Sequence, residues 1–292
     1  MTTTIHIAHD ITGPADGEPL LLIAGLGVQM IRWTDEFCGR LAAMGFRVIR
    51  FDNRDAGLST HLDGAPVPAM ADLARGQVAG VPYTLHDMAA DALGLLDRLG
   101  IGRAHVAGRS MGGMIAQVLA ARHPDRVASL TAIMSSTGNP ALPPPMPQAM
   151  AALTRPAPDP RVDRDGYLDH AVAVARAIGS PGFPFDPAAH RALALAELAR
   201  GRNPAGFGRQ IAAIAATGDL RPLSRTIAAP TLVIHGSDDP LIPPACGRDI
   251  AATIPGARLM LVDGMGHDLP PALYPTVAEG MAGLTRAAGR PR

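Results

Sequence analysis

Three short stretches carry residue types that could do covalent chemistry together. The first is Gly108-Arg109-Ser110-Met111-Gly112, which follows the apolar run Ala104–Ala107 and precedes the helical pattern Met111–Arg122. A serine between a strand and a helix, with glycines two residues to either side, fits a sharp turn that lifts its hydroxyl off the sheet. The helix N-terminus then lies beneath it, with N–H groups aimed at a developing negative charge. The second stretch is Gly236-Ser237-Asp238-Asp239-Pro240, just past the apolar run Thr231–His235. The third is Asp263-Gly264-Met265-Gly266-His267, just past Arg258–Val262. An acid and a histidine on loops at the carboxyl ends of later strands can reach a serine on an earlier one. Ser110 then reads as nucleophile, His267 as base and Asp239 as the acid that orients it, with Asp238 as the fallback. Arg109, beside the serine, is a cation that could meet an acidic substrate group or point into neighbouring loops.

Composition narrows the chemistry from the other side. All 26 basic residues are arginine, so lysine is absent, and they balance 26 acids. Without lysine there is no Schiff-base or pyridoxal chemistry, no Walker phosphate loop, no kinase strand lysine and no Ser-Lys dyad. Zero net charge argues against nucleic acid as a partner and suits uncharged esters. Cys38 and Cys246 stand far apart with no zinc spacing, so reduced thiols, no metal and no cofactor are expected. The N-terminus lacks the basic and apolar regions of a leader, and no apolar run approaches the ~18 residues of a membrane span. The expectation is a cytoplasmic protein with no membrane insertion, acting on a small-molecule ester; the sequence is compatible with a homodimer.

The elements that must position these residues are read from periodicity. Strands are expected at Leu20–Ala24, Phe46–Phe51, Ala104–Ala107, Ser129–Met134, Thr231–His235 and Arg258–Val262, with an antiparallel edge strand at Thr4–Ile7. Helices are expected at Thr34–Met44, Thr84–Leu99, Met111–Arg122, Pro244–Ile254 and from Leu269 to about Arg286. Strands that are apolar throughout and alternate with helices predict an α/β fold, a mostly parallel central sheet covered by helices on both faces. From about Asn139 to Ser224 no strand pattern is found; proline clusters flank helical patterns at Tyr167–Ile178 and Pro187–Arg200. The chain therefore divides into a core of residues 1–138 and 225–292 and a helical cap of residues 139–224.

Together these residues resemble the α/β-hydrolase superfamily, in the branch of capped serine esterases similar to aclacinomycin methylesterase. Besides the serine turn, the resemblance rests on Asp52-Asn53-Arg54-Asp55-Ala56-Gly57-Leu58-Ser59 and on Gly264-Met265-Gly266-His267 followed by Leu269-Pro270. It implies an α/β-hydrolase fold, an order of Ser, Asp and His along the chain, and a structural role for the Asp52–Ser59 loop. It also implies an oxyanion hole made by the backbone N–H groups of Leu26, in Gly25-Leu26-Gly27, and Met111. Met30, Trp33, Phe183 and Phe207 are candidates for an apolar substrate pocket. A serine nucleophile argues against dehalogenase and epoxide hydrolase chemistry. It leaves carboxylester hydrolysis first, with carbon–carbon hydrolases, lactonases, perhydrolases, acyltransferases and a non-turnover receptor as alternatives. A dinucleotide site at Gly25-x-Gly27 is disfavoured, because Met30 stands at the third glycine position.

Overall fold

The computed structural model describes residues 5–288. Seven strands form one sheet: β1 (His9–Thr12), β2 (Glu18–Ile23), β3 (Phe46–Phe51), β4 (Ala104–Arg109), β5 (Val127–Ile133), β6 (Thr231–Gly236) and β7 (Arg258–Val262). Their order is β1-β3-β2-β4-β5-β6-β7, with β1 antiparallel to β3 and all other neighbours parallel. The strands are apolar on both faces because both faces are covered. Leu20 and Leu22 of β2 enter one core, while Leu21 and Ile23 enter the other, as the two-residue period of a strand requires.

Five helices that the sequence predicts flank this sheet. Helix α1 (Asp35–Ala43) begins where the Thr34 hydroxyl accepts from the Phe37 N–H. Between β3 and β4 the chain forms the short α2 (Met70–Ala74) and then α3 (Leu85–Arg98), which opens on a capping box between Thr84 and Asp87. Helix α4 (Met111–Arg122) is buried all round from Met111 to Ala120, so it shows almost no amphipathic stripe. Helices α3 and α4 pack on one core, whereas α1 and the C-terminal helix pack on the other.

Five helices stand between β5 and β6: α5 (Pro147–Thr154), α6 (Arg164–Ile178), α7 (Pro187–Arg200), α8 (Pro204–Thr217) and α9 (Arg221–Ser224). After β6 come α10 (Pro244–Thr253) and, beyond β7, α11 (Tyr274–Ala288). The insertion's prolines start helices: Pro147, Pro187 and Pro204 each occupy a first helical position, where the missing N–H costs nothing. Helix α9 packs on α4 and α10 of the core.

Two sequence expectations are corrected. The antiparallel edge strand is His9–Thr12, not Thr4–Ile7; Thr4 lies outside the described residues, and His6 and Ala8 instead bond to the loop at Ser59 and Thr60. The pairing with β3 is fixed by Arg50, whose guanidinium grips Asp10 at 2.8 and 2.9 Å. Helices α5 and α8 were not expected. Helix α8 opens Pro-Ala-Gly-Phe-Gly, a poor helical composition, because Gly206 packs directly on the carbonyl of Asp55.

The topology decides where a site can form. From β2 the chain proceeds to β3 on one side and then crosses to β4 on the other. The loops leaving β2 and β4 therefore diverge and open a crevice at the strands' carboxyl ends. No helix among the described residues is long and apolar enough to cross a membrane.

Candidate active site

Ser110 sits in that crevice, with φ 55° and ψ −126°, a conformation that L-residues rarely adopt. A side chain at Gly108 would strike the Gly112 carbonyl, and one at Gly112 would strike the end of β2, so the turn closes only with glycine at both places. Holding a serine there costs about 1–3 kcal/mol. The Ser110 N–H bonded to the Ile133 carbonyl at 2.9 Å, and the Ser135 hydroxyl bonded to the Ser110 carbonyl at 2.8 Å, keep it in place.

The structure brings His267 and Asp239 to this serine. His267 Nε2 lies 3.0 Å from Ser110 Oγ, and Nδ1 lies 2.7 Å from Asp239 Oδ2. A carboxylate only accepts, so Nδ1 carries the proton and Nε2 is left to accept from the serine hydroxyl. The other oxygen of Asp239 accepts from the N–H groups of Leu241 and Ile242 at 2.9 and 2.8 Å, which fixes the carboxylate plane. Asp238, the fallback, is exposed and bonds Ser237 and the Gly264 N–H, so Asp239 is the aspartate that meets the imidazole. Beneath it His235 is fully buried and donates from Nε2 to the Ile242 carbonyl at 2.8 Å. Burial holds its pKa below 6.5, which keeps that ring neutral and the Asp239 turn tied to β6.

The histidine loop is held from the insertion. The His267 N–H donates to the Ile178 carbonyl at the end of α6 at 2.7 Å, and the Gly182 N–H donates to the Gly264 carbonyl at 2.9 Å. Ser180 Oγ accepts from the Gly266 N–H at 2.9 Å and donates to the Asp268 carboxylate. These bonds fix where the His267 ring stands, and a reacting group displaced by a fraction of an ångström loses rate. Ser180→Ala is expected to lower kcat about 5- to 30-fold while KM moves less than about threefold, and Ser180→Thr, which keeps the hydroxyl, to restore most of the rate. Steady-state kinetics alongside a melting curve check this; equal losses in both variants would make the role one of packing alone.

The loop after β2 completes the floor. Gly27 has φ +66°, and a Cβ there would lie 2.5 Å from the Phe207 ring. Its N–H donates to Gln210 Oε1 at 2.7 Å, and Gln210 Nε2 donates to the Arg54 carbonyl at 2.8 Å. With Gly27 so engaged, the N–H groups of Leu26 and Met111 have no protein acceptor among the described residues.

Above the serine lies a cavity of about 360 Å³, lined by both core and insertion. Helix α6 contributes Tyr167, His170, Ala171, Val174, Ala175 and Ile178, and α7 contributes His190, Ala194 and Glu197. Phe207 lines it as expected. Three other expected pocket residues do not. Trp33 is fully buried, stacked on Phe37; Met30 is buried at the start of a short 3-10 turn, its N–H bonded to Asp52 at 2.7 Å; and Phe183 packs against the core on the α1 and α11 side. That turn instead directs Arg32 to the cavity, paired with Glu197 at 2.7 Å. The wall on α6 was missed although its spacing of three and four residues is the signal of one helix face.

The Asp52–Ser59 loop anchors the insertion. Asp52 accepts from Met30 N–H, Leu58 N–H and, at 2.5 Å, Arg200 at the end of α7. Asp55, buried with φ 67°, accepts a two-pronged pair from Arg209 of α8 at 2.8 and 2.7 Å, plus the Tyr83 hydroxyl at 2.7 Å.

Residues 19–270 match the Hydrolase_4 family, described as serine aminopeptidase, S33. The chain belongs to that family. Relatives within reach include rhodomycin D methylesterase DnrP of Streptomyces peucetius, 33% identical over 94% of this chain and 93% of that protein. Rhodomycin D methylesterase DauP of Streptomyces sp. strain C5 is 34% identical over 96% and 95%. Among solved structures, a thermophilic esterase from Thermogutta terrifontis superposes with a TM-score of 0.70 at 26% identity, covering 99% of this chain and 97% of that one. The enol-lactonase from Burkholderia xenovorans LB400 gives 0.68 at 25% identity, over 97% and 95%. The fold of this hydrolase family member is thus the α/β-hydrolase fold, with a seven-stranded, mostly parallel sheet.

Proposed function

We propose that this carboxylic ester hydrolase is a serine carboxylesterase that works through an acyl-enzyme, with Ser110 as nucleophile, His267 as general base and acid, and Asp239 as the orienting acid. The observation that carries the reading is the continuous relay from Ser110 Oγ to His267 at 3.0 Å and from His267 to Asp239 at 2.7 Å, at the floor of a cavity. As Oγ attacks the ester carbonyl, His267 Nε2 takes its proton, and the buried Asp239 carboxylate stabilises the imidazolium. The carbonyl oxygen becomes an oxyanion that the Leu26 and Met111 N–H groups receive, aided by the N-terminus of α4. The tetrahedral species collapses, the alcohol leaves with the proton from His267, and water attacks the acyl-serine by the same steps to release the acid.

Residues 139–224 act in this reading as a cap over the core of residues 1–138 and 225–292, since α6 to α8 supply one wall of the cavity. Small to medium apolar esters, or methyl esters of larger acids, are the substrates that the alanine- and valine-rich face of α6 and the two methylesterase relatives favour. The two buried, unpaired thiols support a cytoplasmic setting, and the triad is complete within one chain. A lactone is an internal ester that the same acyl step would open, and the enol-lactonase likeness makes it the second reading.

A panel of p-nitrophenyl esters of graded acyl length, methyl esters of bulky acids and a lactone decides among these. Turnover with a stoichiometric fluorophosphonate adduct on Ser110 is expected. Slow acylation without turnover would instead make the protein a receptor, and lactone opening without ester cleavage would move the assignment to the second reading.

A further inference from the structure

The cavity wall carries three arginines, and they are not alike. Arg32 is paired through two hydrogen bonds to Glu197 at 2.8 and 2.7 Å. Arg202 is exposed to solvent and lies 5.5 Å from the centre of the Tyr167 ring. Arg109, the residue before the nucleophile, is half-buried and has no salt-bridge partner among the described residues. Its guanidinium lies 5.4 Å from the Trp33 ring centre and makes one hydrogen bond, from Nη1 to the Arg32 carbonyl at 3.0 Å. The rest of its N–H fork finds no protein acceptor among the described residues, although the side chain lines the cavity.

We propose that Arg109 is the specificity-determining cation of this cavity and receives a carboxylate that the ester substrate carries in addition to its scissile group. The inference rests on the carboxylesterase reading and narrows its substrates to apolar esters bearing one acidic group, such as half-esters of dicarboxylic acids. The balanced charge of the whole chain does not speak against it, because recognition depends on the charge left unneutralised at one place. Burial and the neighbouring Arg32 pull the Arg109 pKa down to about 10, with Asp268, Tyr274 and Glu197 opposing. The group stays charged at neutral pH, in a setting where a bound anion would relieve its lost hydration. Asp268 also faces the cavity, but its carboxylate is engaged by the Ser180 hydroxyl. The planar fork, 5.4 Å from the Trp33 ring centre, suits two parallel hydrogen bonds to a carboxylate better than a lysine ammonium would.

The test compares kcat/KM for mono-p-nitrophenyl glutarate with that for p-nitrophenyl pentanoate, read as a ratio within each variant so that a general loss of rate divides out. The ratio is expected to fall about 10- to 100-fold in Arg109→Gln and less in Arg109→Lys. An unchanged ratio in Arg109→Gln overturns the assignment. On the unaltered protein, glutarate should inhibit at least tenfold more tightly than glutaramide and raise the melting temperature where glutaramide does not; equal effects also overturn it. These binding arms separate the two failures. If neither ester is turned over and Ser110 takes no fluorophosphonate, the esterase reading fails, whereas turnover without discrimination defeats the Arg109 subsite alone.

Discussion

Ser110→Ala and His267→Ala are each expected to lower kcat by about 10⁴- to 10⁶-fold, and the double variant by little more, because the two groups act as one unit. Asp239→Asn should cost about 10⁴-fold, because an amide facing Nδ1 favours the wrong tautomer of His267. The same serine makes a second expectation in the opposite direction. Its φ of 55° stores strain that glycine would not feel, so Ser110→Gly should be inactive yet more stable than the parent by about 1 kcal/mol or more. Kinetics with p-nitrophenyl esters and denaturant unfolding of the variants check both. Esterase turnover near the parental rate in Ser110→Ala would sink the triad, and a destabilised glycine variant would sink the strain argument.

Arg209→Leu is expected to destabilise the protein by about 3–5 kcal/mol, because it strands the Asp55 carboxylate in a buried position. Burial alone would raise the Asp55 pKa, but hydrogen bonds from Arg209, the Leu62 N–H and Tyr83 outweigh it and hold the group below its ordinary value of 3.8. The pair's stabilisation is therefore fully present above about pH 4 and lost as pH falls through the depressed folded value. In Arg209→Leu the carboxyl should bind its proton more readily when folded, so the gap between parent and variant narrows on acidification. Urea unfolding at pH 7 and near pH 4 measures this; a gap of equal size at both would disprove the linkage. Replacing both partners by apolar residues should cost less than losing Arg209 alone.

The parts of the site that were legible in the sequence are those fixed by short loops after strands. Ser110, Asp239 and His267 each follow an apolar run whose limits are set by glycine, proline or aspartate, and such limits survive folding. Helices Met111–Arg122 and Pro187–Arg200 likewise have the ends that their flanking residues predict. The rest depended on direction, which spacing along a loop does not encode. Met30 and Trp33 follow the Gly25–Gly27 loop closely, but the turn at Met30–Arg32 sends them into the interior and sends Arg32 to the cavity. Gln210 and Arg209 lie side by side on α8, and their importance comes from loops more than 150 residues earlier in the chain. No local pattern in α8 announces such partners, and its glycines, placed for close approach to Asp55, hide the helix itself.

The bonds from Ile178 and Ser180 to the histidine loop bear on how this protein could diversify. Helix α6 lines the cavity, yet the same stretch of chain holds the loop that carries His267. Recombination that exchanges the insertion for a homologous one would carry away part of the support of the His267 loop along with the wall. Point changes on the inward face of α6 alter the wall and leave those bonds in place, whereas an exchanged segment would need to bring its own carbonyl and hydroxyl to residues 264–268.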